Sequence, residues 1–248
     1  MNKTAVVTGS SRGIGAATAI RLASDGFDVC ITYLSNKSAA EDVVAKITSS
    51  DGSAIAVQAD ISVESDVVNL FAVIDEKFGR LDVLVNNAGV LFQQSRLEDM
   101  DAARINAVLA TNVTGYFLCC KEAIKRMSTT HGRYGGVIVN VSSGAARIGS
   151  PAEYIDYAAP KGAIDTLTIG LASEVADQGI RVNAVRPGFI YTDMHASGGE
   201  PDRVERVKQN IPLKRGGQPE EVAAAISWLA SDESSFSSGT FIDVSGGR

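Results

Sequence analysis

The sequence predicts an α/β fold, an open parallel sheet with helices on both faces, and three observations carry that prediction. Short β-branched runs alternate along the chain with longer stretches of helical character. The first run passes straight into a glycine-rich turn, Thr8-Gly9-Ser10-Ser11-Arg12-Gly13-Ile14-Gly15. Several later runs end in polar or turn-forming residues, as strands do when their carboxyl ends share one edge of a parallel sheet. A parallel connection carries a helix across the sheet, so such an alternation leaves both faces covered.

The elements follow in order. TAVVTG opens as the first strand, and an Ala-rich helix runs from the glycine turn to Asp25. DVCITY is the second strand and leads to a helix over Ala39 to Ser50; AIAVQAD is the third and leads to a helix near Val63 to Phe78. LDVLVNNAG is the fourth strand, followed by a long helical stretch from Asp101 to Met127. GVIVNVSS, a helix near Glu153 to Asp177, RVNAVRPG, a helix near Pro219 to Ala230 and TFIDVSGG complete the pattern. Seven strands are the natural count. The stretch from Thr192 to Gly217 breaks the rhythm, being polar and Gly-containing with one amphipathic segment around Asp202 to Gln209, and it reads as a substrate-side lid.

A chain of 248 residues suits one domain, residues 1–248, around one well-buried core. The formal net charge is −6 and Lys and Arg form no stripe, which argues against nucleic acid and anionic membrane as partners. The opening MNKTAVVTGS runs three apolar residues into a glycine turn, so neither a signal segment nor a spanning one is expected and the location expected is cytoplasmic. Cys30, Cys119 and Cys120 lie in apolar stretches without C-x-x-C spacing and read as buried, reduced thiols. His131 and His195 stand far apart, so no His-based zinc site is expected, while a carboxylate-bound magnesium stays open.

Glycines between a first strand and a helix let backbone approach a pyrophosphate, while the helix N-terminus offers unpaired N–H donors and a positive dipole end. Gly9, Ser11, Arg12, Gly13, Ile14 and Gly15 are therefore candidate dinucleotide contacts. The same residues match G-x-S-x-G, the nucleophile elbow of α/β-hydrolases, but that elbow needs an earlier loop to supply an oxyanion donor, and only eight residues precede Gly9. The hydrolase reading fails on topology.

Tyr157-Ala158-Ala159-Pro160-Lys161 puts a phenol and an ammonium at i and i+4, neighbours on one helix face. A nearby cation favours a phenolate and brings a tyrosine toward the working range of an acid/base, able to protonate the alkoxide that hydride transfer leaves. Proline inside a helix removes a donor, so Pro160 predicts a helix that starts close to Tyr157 or kinks there. Ser142-Ser143, Asn86-Asn87-Ala88-Gly89 and Pro187-Gly188 close three strands at the same edge and outline one crevice.

Taken together, TGSSRGIG, NNAG, NVTG, the serine-to-YAAPK segment and VRPGFIYT resemble the short-chain dehydrogenase/reductase family over essentially the whole chain. The chain looks most like its 3-oxoacyl carrier-protein reductases and glucose/ribitol-type dehydrogenases. The resemblance implies a Rossmann-type, doubly wound sheet in the order 3-2-1-4-5-6-7, a nicotinamide cofactor and a homotetramer. It implies four catalytic positions: Ser143 on the substrate oxygen, Tyr157 transferring the proton, Lys161 tuning the tyrosine and holding the ribose, and Asn112 anchoring a water relay. Strand alternation and motif register favour Ser143, and a slip of one residue would exchange it with Ser142. Asn112 falls in a stretch poor in helix formers, where a locally opened backbone is expected. The resemblance further implies Asp60 with Ile61 at the adenine, Asn87, Ala88 and Gly89 near its ribose, and Pro187, Gly188, Ile190 and Thr192 along the nicotinamide.

NADP(H) is expected over NAD(H). A site selecting NAD presents an acid about 20 residues beyond the glycines, whereas no Asp or Glu stands between Asp28 and Glu41. Arg12, Ser35, Asn36 and Lys37 supply donors for a 2′-phosphate instead. The function expected is hydride transfer between the nicotinamide and a carbonyl or secondary alcohol. The alternative is a non-catalytic dinucleotide sensor on the same fold.

Overall fold

The structure, a computed structural model, describes residues 2–248. Seven strands, β1 (Thr4–Val7), β2 (Asp28–Tyr33), β3 (Ser53–Gln58), β4 (Val83–Asn86), β5 (Gly136–Val141), β6 (Ile180–Pro187) and β7 (Phe241–Val244), form one sheet in the order β3-β2-β1-β4-β5-β6-β7. Every neighbouring pair is parallel. The chain therefore reverses its direction of travel between β1 and β4, and strands splay their carboxyl ends at such a switch to leave a crevice.

Among the described residues there are ten α-helices, the longer of which cover the two faces: α1 (Gly13–Ser24), α2 (Lys37–Thr48), α3 (Glu64–Phe78), α4 (Ala102–Leu109), α5 (Gly115–Met127), α6 (Ala145–Ile148), α7 (Ile155–Glu174), α8 (Met194–Ser197), α9 (Arg203–Val207) and α10 (Pro219–Ala230). The strands alternate between two cores. Ala5, Val7, Val29, Ile31, Val83 and Val85 point at Leu22 of α1, Val43 of α2 and Ile226 of α10. Val6, Cys30, Leu84 and Ile138 point at Phe71 of α3, Cys119 of α5 and Ile164 of α7. Burial pushes the thiols of Cys30 and Cys120 up to about 12, and that of Cys119 higher still, so all three remain protonated.

Four spans differ from the sequence expectation. Helix α2 begins at Lys37 rather than Ala39, because the Asn36 carboxamide accepts from Ala39 N at 3.0 Å and caps the turn before it. The stretch from Asp101 to Met127 is not one helix: Asp101 caps α4, a π turn occupies Ala110–Thr114, and α5 follows. Helix α7 starts two residues before Tyr157 and carries Pro160 in its body, where the ring leaves the Asp156 carbonyl without its i+4 donor. The excursion after β6 holds two short helices, α8 and α9, where the sequence suggested one amphipathic segment.

Candidate active site

The turn after β1 is built by close approach. Gly9 and Gly13 have φ of +61° and +56°, which side chains rarely adopt. A Cβ at Gly15 would stand 2.5 Å from Asn87 Nδ2 and 2.6 Å from Gly9 O, so the loop from β4 lies directly on this turn. Asn87 Nδ2 donates to Thr8 O at 2.9 Å and Gly9 O at 3.0 Å, and the Thr8 hydroxyl accepts from the backbone of Asn87 and Ala88. Arg12 precedes α1 in extended conformation, and no side chain caps the helix, so its first N–H groups face the crevice edge uncapped.

Farther along the same edge, Leu34, Gln58, Asp60, Asp66 and Asn69 line a separate hollow. One Asp60 carboxylate oxygen accepts from Ser62 N at 2.9 Å and Ser62 Oγ at 2.6 Å, so this acid also fixes the turn leading to α3. Ile61 is buried against Gly115, where a Cβ would come within 2.7 Å of it. Of the four residues expected at a 2′-phosphate, Asn36 is engaged in capping α2 and Lys37 pairs with Glu41 at 3.4 Å. The side chains of Arg12 and Ser35 are uncommitted among the described residues.

On α7, Tyr157 and Lys161 point the same way, with Lys161 Nζ 5.5 Å from the Tyr157 ring. Lys161 is 2% exposed and donates to Val141 O at 2.7 Å and to the Tyr116 hydroxyl at 3.2 Å. Both partners are neutral. Burial pulls the Lys161 ammonium down to about 7, against the attraction of Asp165. Burial likewise pushes the Tyr157 phenol up to about 12, partly offset by the adjoining Ser143 hydroxyl. The sequence expectation of a tyrosine lowered by its lysine is corrected here: the ammonium is itself desolvated and turned toward Val141, so burial decides the balance.

The two serines part ways. Ser142 Oγ donates to Asp165 Oδ1 at 2.6 Å and is buried, whereas Ser143 lies beside Tyr157 with its hydroxyl accepting from Ala145 N at 3.1 Å. Asn112 is fully buried in the π turn, and its carboxamide accepts from Val90 N at 2.8 Å and donates to Val90 O at 2.9 Å. Its side chain thus clamps the loop that carries Asn87, Ala88 and Gly89. After β6, Gly188 packs so closely on Ser245 that a Cβ would come within 2.8 Å of it, and Thr192 lies over Gly13.

A cavity opens between these groups. Ser143, Tyr157 and Lys161 stand on one wall, Ile14, Asn87 and Gly89 on another, with Pro187, Gly188, Ile190 and Thr192 nearby, and Leu91, Ile148, Phe189 and Met194 give it apolar sides. Three further lining residues carry no functional signal in the sequence. Tyr154, which unlike Tyr157 has no lysine at i+4, is buried and donates to Gly198 O at 2.9 Å. Arg203 is 6% exposed, stacks 4.5 Å over the Tyr154 ring and pairs with Glu153. His195 Nε2 meets Ile190 O at 3.0 Å; a carbonyl only accepts, so Nε2 carries the proton and Nδ1 is left as an acceptor. The spacing of Glu200, Arg203 and Arg206 is the one sequence trace of this cluster.

A family model described as Enoyl-(Acyl carrier protein) reductase matches residues 9–248. The chain belongs to the short-chain dehydrogenase/reductase family. It is an oxidoreductase of that family, which sets aside the non-catalytic sensor reading. It is 62% identical over 98% of its length to the oxidoreductase YgfF of Escherichia coli K12, covering 99% of that protein. It is 43% identical over 98% of its length to a 3-oxoacyl-[acyl-carrier-protein] reductase of Synechocystis, covering 95% of it. A crystal structure of a short-chain dehydrogenase from Burkholderia cenocepacia in complex with NADP superposes with a TM-score of 0.91 at 37% identity, covering 99% of this chain and 97% of that one. Among the described residues no helix is long and apolar enough to cross a membrane, and no group of three or more His, Cys, Asp or Glu stands together as a metal site.

Proposed function

We propose that this oxidoreductase reduces ketones with apolar flanking groups at the expense of NADPH, with Tyr157 as the proton donor. The observation that carries the reading is the Tyr157 phenol beside Ser143, opening on an apolar cavity that the glycine loop also borders.

The residues fit a dinucleotide. The uncapped N-terminus of α1 suits a pyrophosphate, Gly9 and Gly13 themselves carry no Cβ at the turn, and the hollow by Asp60 suits an adenine. NADP in the Burkholderia relative and the uncommitted side chains of Arg12 and Ser35 support the phosphorylated cofactor. Ile190 and Thr192 would border a nicotinamide, which when bound would supply the hydride. Ser143 donates to the substrate oxygen and orients it. Tyr157, which holds its proton at neutral pH, releases that proton to the same oxygen as charge develops there. Lys161, held on Val141 O and Tyr116, keeps one N–H for the cofactor ribose. Asn112 acts by fixing the loop at Val90.

Leu91, Ile148, Phe189 and Met194 suit an alkyl or aromatic arm better than a sugar, whose hydroxyls would need convergent polar partners. The deciding experiment is a screen of NADPH oxidation over alkyl and aryl ketones, 3-oxoacyl thioesters and sugar substrates, run in both directions. The first two classes should lead; exclusive use of sugars overturns the substrate assignment. A homotetramer is also proposed, supported by Leu109, Phe117 and Ile169, which are 40%, 51% and 55% exposed on α4, α5 and α7. Light scattering tests it, and a monomer mass overturns it.

A further inference from the structure

A run of polar contacts begins one residue from Ser143 and ends on β7. Ser142 Oγ donates to Asp165 Oδ1 at 2.6 Å. The other Asp165 oxygen accepts from Arg186 Nε at 3.0 Å and Nη2 at 2.9 Å. Arg186 lies 3.9 Å over the Phe241 ring and 3.9 Å from Asp243, which in turn accepts from Arg147 at 2.8 Å. Asp165 stands one helical turn after Lys161 on α7, on the same face. Two consecutive residues of the chain at the end of β5 therefore receive the two charged side chains: Val141 O accepts from Lys161 Nζ, and Ser142 Oγ donates a hydrogen bond to Asp165.

Resting on the roles assigned above to Tyr157 and Lys161, we propose that Asp165 is a positioning residue that keeps the buried Lys161 side chain charged and, through Ser142 and Arg186, fixes the end of β5 carrying Ser143.

An ammonium with only neutral hydrogen-bond partners in a dry site tends to lose its proton. The groups facing Lys161 bear this out. From α5 comes Tyr116, with Cys119 and Cys120 behind it, all kept protonated and neutral by burial. From α7 come Tyr157, neutral up to about 12, and Asp165. From β5 comes backbone alone. Asp165 is the anion that opposes the desolvation holding Lys161 near 7. Arg186 on β6 shares the Asp165 charge, so it trims the support that reaches the lysine. The two residues should accordingly act in opposite directions.

The test is a pair of pH profiles, kcat/KM for ketone reduction and NADPH affinity by nicotinamide fluorescence, on Asp165→Asn and Arg186→Gln, with Tm recorded for each. Both quantities fall as pH rises through the Lys161 pKa. Asp165→Asn should move that fall about one pH unit lower. Arg186→Gln should move it higher. Profiles that overlay the wild type while Tm drops would make Asp165 a brace between α7 and β6 only, and overturn the proposal. Should Asp165→Asn not fold, Arg186→Gln decides alone: a fall moved upward supports the proposal, and one unmoved or moved lower overturns it. Failure of the underlying catalytic roles is read separately, as near-normal turnover in Tyr157→Phe.

Discussion

The glycine turn after β1 and the segment after β6 meet at Gly13 and Thr192, yet one is held by backbone and the other by charge. The turn is fixed by Asn87 on two carbonyls, by the Thr8 hydroxyl on two amides, and by contacts that leave no space for a Cβ. That segment is tied by Arg203 and Arg206 to Glu153, by Arg206 to Glu200, by Lys208 and Tyr191 to Glu205, and by the Tyr154 hydroxyl. Much of this lies near solvent, with the Arg206 side chain 52% exposed. Exposed ion pairs contribute little each and weaken with salt. Close backbone contacts thus make the turn stiff, while the segment after β6 is held by contacts that yield at lower cost.

The sharpest way to break this contrast is at the wall the two regions share. Tyr157→Phe removes the transferable proton and little packing, so kcat should fall about 10³-fold with NADPH affinity kept; turnover within a few-fold of wild type would remove the assigned acid. Next comes the buried lysine. Its folded pKa, about 7, lies below the unfolded value of 10.5, so the cost of burying its charge is full below pH 7 and fades as pH rises toward the unfolded value. Lys161→Met should thus gain up to a few kcal/mol of stability at and below neutral pH, a gain that closes in alkali while activity is lost throughout. A pH-independent Tm difference contradicts this.

Gly15→Ala probes the stiff side. Its Cβ has no room, so stability should fall by about 1–3 kcal/mol and cofactor affinity with it. Unaltered NADPH titration and Tm would mean that the turn yields more readily than its contacts imply. Arg12→Ala should lower the NADPH over NADH preference about tenfold, through loss of charge-assisted bonds to the 2′-phosphate. A wild-type preference for NADH, or an unchanged ratio, counts against the phosphate pocket. The smallest effect belongs to the segment after β6: Tyr154→Phe removes one hydrogen bond worth about 1 kcal/mol, so KM should rise about fivefold with kcat unchanged and the melting of the core unmoved. A loss in kcat alone would mean that Tyr154 serves the chemistry.

The same contrast separates what the amino-acid sequence discloses from what it hides. Periodicity and turn residues act over a few positions, and they expose the strands, the glycine turn, the Tyr157 and Lys161 pairing and the weakness of the helix at Asn112. Side chains that meet across the fold leave no such trace. Arg203 finds Glu153 from 50 residues away and Arg186 finds Asp165 from 21, and neither spacing has a period. Asn36 and Lys37 look like free donors in sequence because capping and an i,i+4 pair with Glu41 compete for the same groups. The balance at Tyr157 is misleading in sequence for a related reason: a charge at i+4 is visible there, and the desolvation that opposes it is not.

The clamp of Asn87 on Thr8 and Gly9 spans 79 and 78 residues of chain. During synthesis every glycine of the turn leaves the ribosome long before the asparagine that fastens it, and a loop of that length must close against its own entropy before the contact forms. The turn can therefore have no settled shape while β1 lacks β4 as a neighbour. Cofactor capture becomes a late event in folding, one that reports on the assembled middle of the sheet. In stopped-flow refolding, nicotinamide fluorescence should recover no earlier than the bulk of the far-ultraviolet ellipticity, and a binding signal that precedes it would mean the turn assembles without its clamp.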